Sequence, residues 1–435
     1  MEFSVWLINI FEIYLYFIRV LEREKGILKM SADNVFVTYY KLTDEEKELF
    51  IQKNICENSL KVEDSYSFQE SAMEQYHIGY CFYRGDGVAK SYDQAVKYYR
   101  LAAEQNYAPA QYRLGCCYFR GEGVEKNDEQ ALKWYCLSAQ QGYTYAQFEI
   151  GNCYYYGRGV ERDYVEAVKW YRVAAEQDCS KAQFCLGHSY YNGMGVGRNY
   201  LEAIKWYRIA AEQGEVQAQS ELADCYLRGV GVAKNYNEAI RWYRIAAEQD
   251  SVQSQNNLGN CYYYGHGLAK DYSEAIRWYR LAASRNYAPA QYNLGNCYAC
   301  GNGVKKNYTD AVKWYRLAAE QGDVSAQFEM GLCYENDQGV PKSTKNLYEA
   351  VKWYRLAAEH NYVPAQYSLG VCYSLGRGVA KNEEEAFKWY KLAAKSNYLQ
   401  AQIALKECYY YGRGVEKNRA EAQKWNERIK AQQKN

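Results

Sequence analysis

The chain has 435 residues, with 53 lysines and arginines against 52 aspartates and glutamates, for a formal net charge of +1. That balance argues against a general binder of nucleic acid or anionic membrane, because both need a basic surplus. Its 15 cysteines are an odd number, which excludes complete pairing within one chain, and its 50 tyrosines are the strongest skew.

Residues 3–20 are apolar but carry Glu12 in their middle and Arg19 near their end. They lack the basic start and small-residue cleavage site of a secretory signal, and no run of about 20 uncharged apolar residues is present to span a bilayer. Residues 1–29 therefore read as an apolar leader, unstructured or untranslated, with Met30 as an alternative start. Residues 30–70 contain "TDEEKELFIQKNI", with Thr43 and Glu46 at capping-box spacing and Leu49, Phe50 and Ile55 behind them. The expectation is a helix that caps the unit following it.

Residues 71–432 repeat. Gly151 has counterparts at Gly79, Gly115, Gly187, Ala223, Gly259, Gly295, Gly331, Gly370 and Lys406, spaced by 36 residues except for 39 between Gly331 and Gly370. In the third copy Ala146, Ile150 and Tyr154 fall on one helical stripe, and Gly157 and Gly159 close that helix. A second helix follows, with Ala167, Trp170, Tyr171, Ala174 and Ala175 on its apolar face. Asp163 with Glu166 predicts a capping box, as do Asn199 with Glu202, Asn235 with Glu238 and Asp271 with Glu274. Pro109, Pro289 and Pro364 share one position in the first helical turn, where a missing N–H costs nothing. Tryptophan recurs in the second helix from Trp134 through Trp242 to Trp425 and is expected to fill the space between helices. A helix pair cannot bury its apolar face alone, but stacked pairs can. The fold class is all-α, a solenoid of about ten 36-residue helix pairs forming one domain.

The pattern is seen whole in "AQYNLGNCYACGNGVKKNYTDAVKWYRLAAEQG", residues 290–322. It closely resembles the Sel-one-like repeat (SLR) family, a relative of the tetratricopeptide repeats. The resemblance implies a right-handed α-α superhelix whose concave groove is lined mainly by first helices. It also implies an adaptor or scaffold, since members serve membrane-protein quality control, cell-wall regulation and bacterial contact with host cells. A membrane-tethered quality-control component is one alternative. A secreted β-lactam-hydrolysing repeat protein is another, but that branch places two cysteines in each repeat and this chain does not.

The residues that suggest chemistry have structural explanations. Cys153 and eight counterparts hold one repeat position, and neighbouring helices pack about 10 Å apart, beyond disulfide reach. They read as reduced packing thiols, which points to a cytoplasmic, reducing compartment. Cys297 and Cys300 form a lone C-x-x-C late in a helix, unlike a redox pair at a helix start or a four-ligand zinc site. The Gly-x-Gly follows a helix rather than a strand, so it is no phosphate loop. The reading contains no catalytic group, metal, cofactor or small-molecule substrate.

Function is left to the positions that vary between copies. In the first helix these lie opposite the Ala146–Ile150 stripe. Asn152, His188, Asp224, Asn260 and Asn296 form a row of hydrogen-bonding groups just after the repeated glycine. Phe148, Phe184 and Tyr292 flank it on one side and Tyr155, Tyr156 and Tyr264 on the other. Amides beside rings suit an extended peptide or protein segment, with amides pairing its backbone and rings gripping its side chains.

Overall fold

A computed structural model describes residues 71–434. The apolar leader and the helix expected over residues 43–55 lie outside the described residues. Those described form helices and turns, with no strand among them, in the order of ten helix pairs. They fall into two compact units, one of residues 71–182 with 194–196, the other of residues 183–193 with everything from 197 onward.

Each repeat contributes a first, or A, helix and a second, or B, helix. In the third repeat these are Thr144–Tyr156 and Tyr164–Ala175. The A helix buries Ala146, Ile150 and Cys153 against Ala131, Tyr135 and Ala139 of the preceding B helix, Asp128–Gln140. The second unit repeats the arrangement, with Ala290, Leu294 and Cys297 against Ala275, Ile276, Tyr279 and Ala282. A buried Leu or Ile of this kind contributes about 1.5–3 kcal/mol. No isolated pair has both surfaces to cover, which is why the copies stack.

The large buried aromatic is tyrosine, a correction to the expected tryptophan. Tyr171, Tyr207, Tyr243, Tyr279 and Tyr315 are 0–2 % exposed. The tryptophan one residue earlier packs on the preceding core but stays half-buried, as Trp170 and Trp314 do, and only Trp242 is buried at 8 %. One helical residue is about 100° of rotation, so the two rings cannot share a direction, and the tyrosine points at the A helix of its own repeat. The repeated glycine makes room for it. A Cβ on Gly151 would lie 2.6 Å from the Tyr171 ring, and one on Gly295 2.5 Å from Tyr315.

The helix caps also differ from expectation. Asp163 Oδ1 accepts from the N–H groups of Val165 and Glu166, as a cap should. The reciprocal half does not form, because Glu166 turns to Lys169, and Glu238 and Glu274 likewise turn to Arg241 and Arg277 at 3.5 and 3.3 Å. A cation one turn along outcompetes the N-cap N–H for the carboxylate. Ser71 and Glu74 do form the full box. The glycine pair behaves as expected. Gly157 takes φ 70° at the C-cap, and Gly159 adds a close approach, since its Cβ would lie 2.3 Å from the Asp128 carbonyl oxygen. Where Asp337 replaces the first glycine it still adopts φ 54°, and Asn346 Nδ2 donates to its carboxylate across 2.6 Å.

The arginine of the repeated "KWYR" does more than solvate the outer surface. Arg208, Arg280 and Arg355 donate to the hydroxyls of Tyr226, Tyr298 and Tyr373 in the next A helix at 2.7, 3.0 and 2.7 Å. Within the first unit Arg100 does the same to Tyr118 at 2.9 Å.

Candidate functional site

The varying positions lie on the A helices, opposite the buried stripe, and the buried tyrosines reach them from behind. In the first unit the Tyr171 hydroxyl donates to Asn152 Oδ1 across 2.9 Å, and Asn152 Nδ2 donates to Glu149 at 3.0 Å. Phe148 rests on the Tyr171 ring at 6.0 Å. Tyr155 is half-buried, with its hydroxyl donating to Met194 Sδ at 3.1 Å and its ring edge-on to Tyr156 at 4.9 Å. Tyr156 is 51 % exposed, with the Arg158 guanidinium over its ring at 4.7 Å.

The second unit carries the remaining predicted residues. Phe184 stacks on Tyr207 at 5.8 Å. His188 Nε2 lies 3.1 Å from Asn192 Nδ2, and burial lowers the pKa of its ring. Asp224 accepts from the Tyr243 hydroxyl and from Asn257 Nδ2 at 3.2 Å, and pairs with Arg228 at 3.3 Å. Asn260 Oδ1 accepts from Tyr279 at 2.7 Å and from Asn293 Nδ2 at 3.3 Å. Asn296 Oδ1 accepts from Tyr315 at 2.6 Å, and its side chain also hydrogen-bonds Tyr292, whose ring lies 6.0 Å from Tyr315. Tyr264 is 58 % exposed and edge-on to Tyr263 at 4.9 Å.

The polar row therefore has an inward duty that the sequence reading did not assign. Its acceptor atoms satisfy buried tyrosine hydroxyls, which would otherwise cost about 1–3 kcal/mol each. Where Leu332 occupies the row, Glu335 takes over and accepts from Tyr354 across 2.6 Å. Behind His188 the Tyr207 hydroxyl has no partner. What is left for a partner is the exposed rings and, two before the glycine, the half-buried carboxylates of Glu221 and Glu329.

Among the described residues no group of His, Cys, Asp or Glu is arranged to hold a metal, and no helix is long and apolar enough to cross a membrane. From the second repeat onward the repeated thiols, Cys117 to Cys408, are buried. Cys153, Cys225 and Cys297 are buried and their pKa values are pushed up to about 12, chiefly by that burial.

The family profile of the Sel1 repeat matches ten successive segments, residues 75–107, 108–143, 144–179, 180–215, 216–251, 252–287, 288–323, 324–362, 363–398 and 399–428. The chain belongs to the Sel1 repeat family. It is similar to a protective antigen of uropathogenic Escherichia coli strains that displays an SLR fold. The two share 33% identity over 87% of this chain and 86% of the antigen, with a TM-score of 0.57. It is also similar to a Sel1 repeat protein from Oxalobacter formigenes, at 36% identity over 56% of this chain and 96% of that one, with a TM-score of 0.52. No curated protein matches the chain. Sel1 repeat proteins are helical-repeat scaffolds that typically mediate protein–protein interactions.

For this Sel1 repeat chain, sequence reasoning missed Glu221, Asn256, Asn257, Asn293 and Glu329 on the A-helix face. The signal was available. Phenylalanine or tyrosine three before the glycine gives way to Ser220 and Asn256 in successive copies, and amides fill the opened space. Asn293 Nδ2 reaches Asn256 Oδ1 at 2.9 Å, joining the sixth and seventh repeats.

Proposed function

We propose that the chain is a non-enzymatic scaffold that binds an extended peptide or protein segment along its A-helix face. The observation that carries this is a recurring pair of adjacent tyrosines. Tyr155 and Tyr156, Tyr263 and Tyr264, and Tyr410 and Tyr411 each meet edge-on at 4.9 Å. The outer rings, Tyr156, Tyr264 and Tyr411, stand 51, 58 and 59 % exposed. Each is a large ring held by its neighbour, so it contributes contact area with little entropy left to lose on binding. Buried thiols such as Cys153, Cys225 and Cys297, packed as apolar filler, support a cytoplasmic, reducing setting. No cofactor enters the mechanism. Partner recognition rests on rings for side chains and amides for backbone.

A random peptide library displayed against the full chain tests the reading, with anisotropy titration of selected peptides. Tyr264→Ala or Tyr156→Ala should weaken a selected peptide by about tenfold or more, the loss typical of an interface anchor. Selected peptides whose affinity ignores Tyr156→Ala, Tyr264→Ala and Tyr411→Ala alike would sink it.

A further inference from the structure

We infer that the segment bound on the second unit's A-helix face is basic, and that Glu221 and Glu329 each seat one of its lysine or arginine side chains. This rests on the reading of that face as the binding surface. The varying A-helix positions of this unit carry Glu221, Asp224, Glu329, Glu335 and Glu407 against Arg228, in a chain whose overall charge is balanced. Charge of one sign on one face selects partners of the other.

Two of these carboxylates are already employed. Asp224 holds Tyr243, Asn257 and Arg228, while Glu335 holds Tyr354 and pairs with Arg377 at 3.6 Å. Glu221 and Glu329 are different. Both are half-buried, and neither forms a hydrogen bond or ion pair among the described residues. Arg228, the cation felt by Glu221, is committed to Asp224. Burial dominates at both glutamates and raises their pKa values. The same scaffold shows what a purely structural solution looks like. At the equivalent position in the sixth and seventh repeats stand Asn257 and Asn293, uncharged and bonded to Asp224 and Asn260. The fifth and eighth repeats place an ionisable group there at a cost in stability, and an incoming cation removes that cost.

A second observation bears on Glu221. Tyr207 is 0 % exposed and its hydroxyl has no partner, whereas Tyr243, Tyr279, Tyr315 and Tyr354 in this unit all donate to an A-helix acceptor. Glu221 is the strongest charge acting on that hydroxyl. In this proposal the unpartnered Tyr207 O–H becomes the donor to the inner oxygen once a bound cation holds the carboxylate ionised, leaving the outer oxygen for the ligand. A carboxylate bonded on both sides binds ammonium or guanidinium through short charge-assisted hydrogen bonds.

The test titrates fluorescein-labelled peptides that alternate lysine, glutamate or glutamine with alanine into the full chain. Variants are Glu221→Gln, Glu329→Gln, Tyr207→Phe and, as a charge-matched control, Glu384→Gln on the exposed surface of helix Glu383–Lys395. The lysine peptide should bind best and lose about tenfold in affinity with E221Q and with E329Q, as expected for a charged hydrogen bond. It should lose less with Y207F and nothing with E384Q. E221Q and E329Q should melt no lower than the parent chain, since each removes a half-buried charge with no ion-pair partner. A preference for the glutamate or glutamine peptide, or an equal loss in E384Q, overturns the basic assignment while leaving the face itself to be judged by Tyr264→Ala. Glutamine variants that melt lower overturn it as well, because the carboxylates would then be structural.

Discussion

The Tyr279 hydroxyl donates to Asn260 Oδ1 across 2.7 Å, tying the buried aromatic of a B helix to the outward-facing row of its own A helix. The same bond recurs at Tyr171 with Asn152 and at Tyr315 with Asn296. The face that varies between repeats is thus wired to the core that does not. A substitution in the polar row changes stability as well as any binding.

The first prediction separates those effects. Asn260→Ala leaves the Tyr279 hydroxyl buried without an acceptor and should cost about 1–3 kcal/mol. Adding Tyr279→Phe removes the stranded group and should recover part of that loss. Tyr207→Phe, where the hydroxyl has no partner to lose, should be neutral or stabilising. Urea midpoints of these three variants and of Tyr279→Phe alone, which loses a hydrogen bond already made, check this. The idea fails if Tyr279→Phe and Tyr207→Phe cost the same.

The second prediction concerns which ring holds the repeats together. Tyr315→Ala should cost about 3–5 kcal/mol, the range for a fully buried aromatic, while Trp314→Ala next to it should cost clearly less. Trp242, buried at 8 %, should be the most costly of the tryptophans to truncate. Equal losses at Trp314 and Tyr315 would contradict the packing described.

Much of this architecture was legible in the sequence, and the reason is repetition. Periods, caps and glycine turns occur many times over in the chain, so chance matches average out. Less legible was the division of labour between adjacent residues. Trp170 and Tyr171 both look like core in a helical pattern, and only the third dimension shows that the glycine two helical turns into the A helix admits the tyrosine. The role of the Asn152 row was hidden for a similar reason. A residue that varies from copy to copy appears free, yet Asn, Asp and a displaced Glu335 all accept from the same tyrosine hydroxyl. Variation in identity conceals constancy in function when several side chains can accept one bond.

The third prediction exploits the glycine beneath that tyrosine. Gly295→Ala puts a Cβ 2.5 Å from Tyr315 and should destabilise by about 1–3 kcal/mol through overpacking. Ala223 occupies the equivalent place above Tyr243, so the ring can give way, and the cost should fall at the lower end. The reverse change, Ala223→Gly, should cost up to about 1 kcal/mol from helix propensity. If Gly295→Ala stabilises the chain, the close approach is not a constraint.

The fourth prediction follows from burial of the thiols. With the pKa values of Cys153 and Cys297 pushed up to about 12, almost no thiolate exists at neutral pH, and neither side chain is accessible. Iodoacetamide should label exposed Cys300 in the native chain and reach Cys297, three residues away, only after unfolding. Peptide mass spectrometry gives the order. Labelling of Cys297 as fast as Cys300 would place that thiol outside the core.

The fifth prediction is a pH dependence at Glu329, whose pKa is raised by burial. A carboxyl with a raised folded-state pKa favours the fold in its protonated form. Its contribution is complete below the unfolded value, near 4.3 for glutamate, and is lost as pH rises through the folded value. At neutral pH the ionised group opposes folding, so Glu329→Gln should raise the melting temperature there. Below about pH 4 the two chains carry the same charge at this position and the gain should vanish. A gain that persists unchanged at low pH would trace to the amide's hydrogen bonding rather than to the buried charge. A loss at neutral pH would mean that Glu329 is held by a cation in the folded chain.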